Sequence, residues 1–300
     1  MAYKNRIEST ELRILRFLDT RMSLSNKDQK HLFYLRKGFE GEISFDSFTE
    51  QHQEKCFILN DLLLTSNNTT FQIDTLIVSD KIYLFEVKNF EGDYYYNSDR
   101  LYTKSHSEIS NPLHQLNRCK SLLRQLLHTL GFNLPIDASV VFINPDFNLY
   151  QAPLDMPIIF PNQISRFLNK RCKTPVKQIK QHQLLADKLI SLHIANSPFM
   201  QLPSYEISQL RKGITCQNCS SFSISVKGRS CICNECRNAE NVQTAVMRNV
   251  EEFKLLFPTA KVTTNAIHEW CHVIESKIRI RRILQKNFKQ SGVRQWATFE

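Results

Sequence analysis

Apolar residues recur first at a helical period and then at a strand period. Leu12, Ile14, Leu15, Leu18 and Met22 fall near 3.6-residue spacing and predict an amphipathic helix over residues 10–22. A second helix is predicted over residues 28–51, where Gly38-Phe-Glu-Gly-Glu42 runs into Ile43, Phe45 and Phe48 and sets Glu42 beside a core-facing stripe. Cys56-Phe-Ile-Leu-Asn60 and Asp61-Leu-Leu-Leu64 read as one strand, and residues 71–79 and 82–88 as two more. Residues 89–96 and 100–103 extend the sheet signal. Asn111-Pro112 then introduces a helix to about Leu130, with Leu113, Leu116, Leu122, Leu123 and Leu126 as core positions and proline tolerated in the first turn. A buried strand over 138–144 ends at Pro145, a turn-rich stretch reaches Pro161, and helices follow at 163–169 and 177–195.

Toward the C-terminus, Val242, Val246, Val250 and Phe253 mark a helix over 241–257 that Pro258 stops. Thr263-Thr264-Asn265 caps a short helix ending near Cys271, and Ser276 caps another over 277–288. In that last helix Ile278, Ile283, Leu284 and Phe288 are expected to face inward, with Arg279, Arg281, Arg282 and Lys286 outside. Short helix, tight turn and basic helix is the layout of a helix-turn-helix, and the tail over 289–299 suits a wing-like hairpin. A three-helix packing unit with a solvated basic face explains the same pattern.

Chemistry enters where acids interrupt the apolar strands. A three-residue loop, Ser79-Asp80-Lys81, pairs Val78 with Ile82 and brings Asp74 opposite Glu86. Strand alternation sets Gln72 and Asp74 on one face, and Ile82, Leu84, Glu86 and Lys88 on one face of the next strand. Solvated strand ends also carry such acids, but a buried carboxylate needs a cation or hydrogen bonds to remain charged. Mg²⁺ suits two carboxylates, because it keeps several waters and accepts phosphate oxygens as further ligands. Lys88 would then orient or activate a water, or offset phosphoryl charge.

Charge narrows the partners. A net charge of +10 favours polyanions through phosphate neutralisation. Lys277, Arg279, Arg281, Arg282, Lys286, Lys289 and Arg294 lie in one stretch without an acid, as either a nucleic-acid contact or a solvated basic surface. Lys170, Arg171, Lys173, Lys177 and Lys180 form a second run that reads equally as linker or phosphate contact. The first residues lack the apolar region of a signal peptide and no apolar run approaches a membrane span, so a soluble cytoplasmic protein without membrane contact is expected.

Nine cysteines in such a compartment favour metal binding or the reduced state over disulfides. Cys216-Gln-Asn-Cys219 and Cys233-Asn-Glu-Cys236 are two knuckles with thirteen residues between them, and the intervening sequence reads as a hairpin that folds one onto the other. Four thiolates make a closed tetrahedral site for structural Zn²⁺. Cys231, two residues before Cys233, is the competing ligand and is expected to face the other way. Cys56, Cys119, Cys172 and Cys271 read as buried small hydrophobes.

Gly41-Glu42, Gln72-Ile-Asp74-Thr, Glu86-Val-Lys88-Asn and Asn111-Pro112-Leu-His-Gln115, in that order, resemble the nuclease-related domain (NERD), a branch of the PD-(D/E)xK superfamily, over residues 37–147. Ile73 stands where the superfamily name has proline. The resemblance implies Asp74 and Glu86 as Mg²⁺ ligands, Lys88 as catalytic lysine, Glu42 as an extra acid and Gln115 as the residue completing the pocket. The expected fold is α/β: a restriction-endonuclease-like core with a mixed central sheet flanked by helices, a small zinc ribbon and a C-terminal helix-turn-helix-like unit. The corresponding divisions are a helical extension (1–36), the nuclease-like domain (37–200), the zinc ribbon (201–240) and the helical unit (241–300). The expected function is Mg²⁺-dependent cleavage of nucleic acid, DNA first, targeted by the basic C-terminal region. The alternative is a non-catalytic nucleic-acid-binding regulator on the same scaffold.

Overall fold

A computed structural model describes residues 2–171, 179–293 and 297–299. Two helices come first, α1 (Thr10–Arg21) and α2 (Asn26–Thr49). The α2 helix begins earlier than its apolar pattern suggests, because Ser25 Oγ accepts the Asp28 N–H at 3.2 Å and donates to Asp28 Oδ2 at 2.6 Å. There follow β1 (Phe57–Ser66), β2 (Thr69–Val78), β3 (Ile82–Lys88), β4 (Gly92–Asn97), β5 (Arg100–Thr103), β6 (Glu108–Ile109) and α3 (Pro112–Thr129). Then come β7 (Ile136–Phe142), β8 (Phe147–Tyr150), β9 (Ile158–Ile159), α4 (Ile164–Arg171) and α5 (Ile179–Ser191). The remainder is β10 (Ile224–Lys227), β11 (Ser230–Cys233), β12 (Ala239–Asn241), α6 (Val242–Leu256), α7 (Thr264–Cys271), α8 (Lys277–Asn287), β13 (Gln290–Ser291) and β14 (Thr298–Phe299). The chain is a mixed α/β protein, and among the described residues no helix is long and apolar enough to cross a membrane.

The residues group into two compact units, Met1–Ser9 with Phe33–Phe199, and Thr10–Leu32 with Met200–Glu300. In the first, a five-stranded sheet runs β1-β2-β3-β7-β9, antiparallel through β3 and parallel beyond it. Its strands are apolar on both faces because helices cover both. Leu59, Leu76 and Leu84 pack with Leu116 and Leu123 of α3 and with Leu185 and Leu189 of α5. On the other face, Ile58, Ile77, Phe85 and Val141 meet Phe45 of α2 and Ile164 and Leu168 of α4. A second sheet, β6-β5-β4-β8, takes β4 to β6 from the stretch between Lys88 and α3 and β8 from the chain just after β7. Both β8 and β9 fall in the stretch expected to be turn-rich. They are too short, at four and two residues, to carry an alternating pattern.

The hairpin loop keeps its expected register, with Val78 opposite Ile82. Strict alternation fails one step further along. Phe71 and Ile73 share a core cluster with Leu76 and Val78, so β2 changes phase in the middle, where Asp61 on β1 adopts a left-handed backbone with φ 52°. Gln72 is exposed while Asp74, at the point of the phase change, is buried.

In the second unit, β10, β11 and β12 form a three-stranded antiparallel sheet, followed by α6, α7 and α8 and by the small β13–β14 pair. Thr263 and Ser276 cap α7 and α8 as their sequences indicate, accepting N–H groups of Ala266 and Arg279. Inward positions on α8 are Ile280, Ile283 and Leu284; Ile278, expected inside, is 65% exposed. Ile280 and Ile283–Leu284 are the set that keeps helical spacing from one buried stripe, which leaves Ile278 off it. Arg21 is wholly buried here, bonded to Glu252 at 2.6 and 2.9 Å, to the Arg211 and Gly213 carbonyls and to Asn249, with its guanidinium 4.0 Å from the Trp270 ring centre.

Candidate metal centre, cysteine cluster and basic helix

Asp74, Glu86 and Lys88 come together where the β2–β3 ladder stops. The last paired residues are Thr75 and Phe85, and beyond them Asp74 Oδ2 accepts the Val87 N–H at 2.7 Å, so the carboxylate takes the place of a backbone acceptor. Glu86 shares the α3-facing side of β3 with Ile82 and Leu84 and is only 2% exposed. Lys88 Nζ lies 2.7 Å from Glu86 Oε1 and donates to Gln115 Oε1 at 3.2 Å, with Gln115 held in the first turn of α3. That helix start is fixed by Asn111, whose side chain accepts the Leu113 N–H at 3.0 Å.

Burial dominates the electrostatics. It raises the Asp74 carboxyl above its ordinary value, against the pull of Lys88, the Val87 N–H and Arg6. Burial and then the neighbouring Asp74 push Glu86 up to about 7, against Lys88. For Lys88 itself burial works to lower the value, and Glu86, Asp74 and Glu42 more than reverse it. Lys88 is the ion-pair partner of the buried Glu86 Oε1, one lysine against the two acids Asp74 and Glu86. Two buried carboxylates facing one lysine leave an excess of negative charge, which suits a hard divalent cation that two carboxylates and water would hold. Asp74 and Glu86 therefore fit Mg²⁺.

Glu42 reaches the same region from α2. Gly41 makes that possible: a Cβ there would sit 2.7 Å from the Asn89 Cβ just beyond β3, so only glycine lets the helix approach this closely. The Glu42 carboxylate, however, is engaged by a residue that its motif does not contain. Arg6 Nη1 donates to Glu42 Oε2 at 2.6 Å, and Nε and Nη2 donate to Asp46 at 2.9 and 3.0 Å. Burial and then Asp74 push Glu42 up to about 8, while Arg6 pulls it down. The contact decides in favour of the ion pair, since a bond of 2.6 Å is charge-assisted and a guanidinium does not give up its proton. Asp46 had a signal in the sequence, standing four residues after Glu42 on one helix face. Arg6 had none.

The second constellation is formed by sulfur. Cys216, Cys219, Cys233 and Cys236 place their Sγ atoms within 4.8 Å of one another, and among the described residues they are the one such group of three or more His, Cys, Asp or Glu. The shortest approaches are 3.5 Å between Cys216 and Cys236 and 3.6 Å between Cys219 and Cys233. The β10–β11 hairpin folds one knuckle onto the other, with Ile224 opposite Cys233. The Asn238 N–H, followed by the Asn218 side chain, lowers the Cys236 thiol to about 6. Four sulfurs at this spacing fit tetrahedral Zn²⁺, a zinc-ribbon-like arrangement. Cys231 stays outside the cluster, buried within β11, and its thiol is raised by burial and then by Glu240. Cys233 is thus the fourth member, because the chain turns there into the second knuckle, with the Arg237 N–H on the Cys233 carbonyl.

Along α8, Lys277, Arg281, Arg282 and Lys286 are exposed, as is Lys289 beyond it. Arg279 is committed elsewhere, donating to the Gly228 carbonyl at the tip of the β10–β11 hairpin at 2.8 Å. Lys286 Nζ donates to Gln243 Oε1 at 3.4 Å. Arg294, Lys173, Lys177 and Cys172 lie outside the described residues.

No curated protein and no solved structure matches the chain. Residues 37–143, which carry Glu42, Asp74, Glu86, Lys88 and Gln115, match the family model of the nuclease-related domain, NERD.

Proposed function

We propose that this protein is a Mg²⁺-dependent nuclease that hydrolyses phosphodiester bonds, with DNA as the primary substrate. One observation carries the reading: Glu86, 2% exposed, shares a buried site with a second acid, Asp74, and the one lysine beside them, Lys88, stands 2.7 Å from Glu86 Oε1. A surface evolved only to bind phosphate gains nothing from two buried acids, since both repel it. Bound Mg²⁺ supplies polarisation of the scissile phosphate and a lowered pKa for an attacking water. Asp74 and Glu86 hold the ion. Lys88, steadied by Gln115, orients the water or offsets charge developing on the phosphoryl oxygens. The α7–α8 segment acts as a helix-turn-helix-like targeting module, with Lys277, Arg281, Arg282, Lys286 and Lys289 on phosphate. A linked binding module raises the effective concentration of substrate at an unselective site.

A second reading, a non-catalytic nucleic-acid-binding protein, draws support from internal neutralisation, with Lys88 on Glu86 and Arg6 on Glu42. The two separate in a cleavage screen with Mg²⁺ or Mn²⁺ over linear, circular, single-stranded and branched DNA and over RNA. Wild type is expected to cleave at least one substrate. Asp74→Asn, Glu86→Gln and Lys88→Ala each lower the rate by at least about a hundredfold while DNA affinity changes less than about threefold. DNA binding without cleavage of any substrate, and without metal uptake, favours the second reading.

A further inference from the structure

We infer that the nuclease site takes one divalent cation per chain, not two, because Arg6 permanently fills the cation position beside Glu42. The inference rests on the reading of Asp74 and Glu86 as the metal site. Glu42 is the third acid in the region and, by its place, the obvious ligand for a second ion. One of its oxygens, Oε2, is already occupied. The guanidinium of Arg6 meets Glu42 Oε2 at 2.6 Å, both Asp46 oxygens at 2.9 and 3.0 Å, the Asp74 carbonyl at 2.8 Å and Thr75 Oγ1 at 3.2 Å. Its side chain is 3% exposed.

The segment carrying Arg6 is itself held. Lys4 pairs with β1 through the Lys4 N–H on the Ile58 carbonyl at 3.1 Å and the Asn60 N–H on the Lys4 carbonyl at 3.0 Å. Lys4 Nζ caps the Asn60 and Asp61 carbonyls at 2.7 Å each, and Tyr3 donates to Asp187 on α5. A metal ion entering beside Glu42 would therefore have to share the carboxylate with, and lie against, a fixed positive charge that remains protonated at every working pH. Among the described residues the four cysteines are the one group of three or more potential ligands gathered closely enough to hold an ion, so Glu42 does not join Asp74 and Glu86 in such a group. Mg²⁺ needs no third carboxylate, since it retains waters and is satisfied by one or two acids plus phosphate. Glu42 is then a positioning residue, paired with Arg6, that adds negative potential without touching the ion. Arg6 stands outside residues 37–143, so the family match says nothing about it.

Mn²⁺ titration of the full chain, by calorimetry and by electron paramagnetic resonance of free Mn²⁺, tests this without turnover. One Mn²⁺ per chain is expected beyond any held by the cysteines, which are kept loaded with Zn²⁺. Glu42→Gln is expected to shift the dissociation constant less than about threefold, and Glu86→Gln more than about thirtyfold. Two Mn²⁺ per chain, or a loss in a cooperatively folded Glu42→Gln variant as large as in Glu86→Gln, overturns the one-ion assignment alone. No Mn²⁺ uptake by wild type overturns the metal site itself, and this assignment with it. The wild-type stoichiometry stands as the test even where the Glu42→Gln variant fails to fold.

Discussion

Glu86→Gln is expected to stabilise the metal-free protein above pH 7 while removing its affinity for divalent cations. Burial and Asp74 raise the Glu86 carboxyl from its ordinary 4.5 to about 7 in the folded chain, even with Lys88 beside it. A raised carboxyl means that the folded state binds the proton more tightly than the unfolded state. The folded state therefore loses stability as pH rises from 4.5 through 7, and the whole cost is present at pH 8. At 1.36 kcal/mol per pH unit, that interval corresponds to about 3 kcal/mol at pH 8 and to just under about 1 kcal/mol at pH 5. The neutral amide removes the charge at nearly constant shape, and Lys88 keeps Gln115 as an acceptor. Imperfect bonding of the new amide makes about 3 kcal/mol a ceiling, with about 2 kcal/mol a fair expectation. Because the chain has two compact units, a single melting temperature mixes them. Hydrogen exchange of peptides covering β2 and β3, in magnesium-free buffer at pH 8 and at pH 5, reads the relevant unit directly. Slower exchange in the variant at pH 8 with little difference at pH 5 is the predicted pattern, and Mg²⁺ should slow exchange in the wild type alone. A variant that exchanges faster than wild type at pH 8, or gains equally at both pH values, would refute the claim that Glu86 is held charged against its environment.

The cysteine cluster should bind one Zn²⁺ per chain by elemental analysis; Cys219→Ser, or chelation, is expected to unfold the β10–β12 sheet, since such sites contribute on the order of 10 kcal/mol to folding. Arg21→Met leaves Glu252 buried without its cation and should destabilise the second unit by about 3–5 kcal/mol in urea unfolding. The double variant Arg21→Met with Glu252→Met should recover most of that loss; equal loss in the double variant would show that packing, not charge, is what the single change removed. Charge reversal at Arg281 and Arg282, both exposed on α8, should weaken DNA binding and reduce the slope of log affinity against log salt by about 2 if both contact phosphate, with an unchanged slope counting against that role.

What the sequence made legible follows from how local each determinant is. Helices with a clear stripe and a capping side chain, such as those begun by Asn111, Thr263 and Ser276, could be bounded from a few neighbouring residues. The hairpin register could be read because one short loop determines it. The cysteine pair spacing carried its own chemistry, and even the choice of Cys233 over Cys231 needed only the turn that follows it. By contrast, the phase change in β2 depends on Asp61 entering the left-handed region on the neighbouring strand, a conformation that no alternation pattern announces. Ile278 was misassigned because four apolar residues on an eleven-residue helix allow more than one stripe, and tertiary packing chooses among them.

Arg6 shows the deeper limit. It touches Asp74 and Thr75 across separations of 68 and 69 residues, from a segment with no secondary structure of its own beyond a single bridge at Lys4. Motifs are found because their residues are close in sequence or recur at a period, and a counter-cation needs neither property. It only has to arrive. Yet without it Glu42 and Asp46 would face the buried Asp74 with no compensating charge, a cost of several kcal/mol for each unpaired acid that remained ionised. The acids could escape that cost by taking up protons or by drawing in a metal ion, and either would alter the chemistry of the site. The counter-charge of Glu42 and Asp46 thus comes from a residue 31 positions before the family match begins, so a fragment cut at that boundary would keep every motif residue and lose both ion pairs beside the metal site.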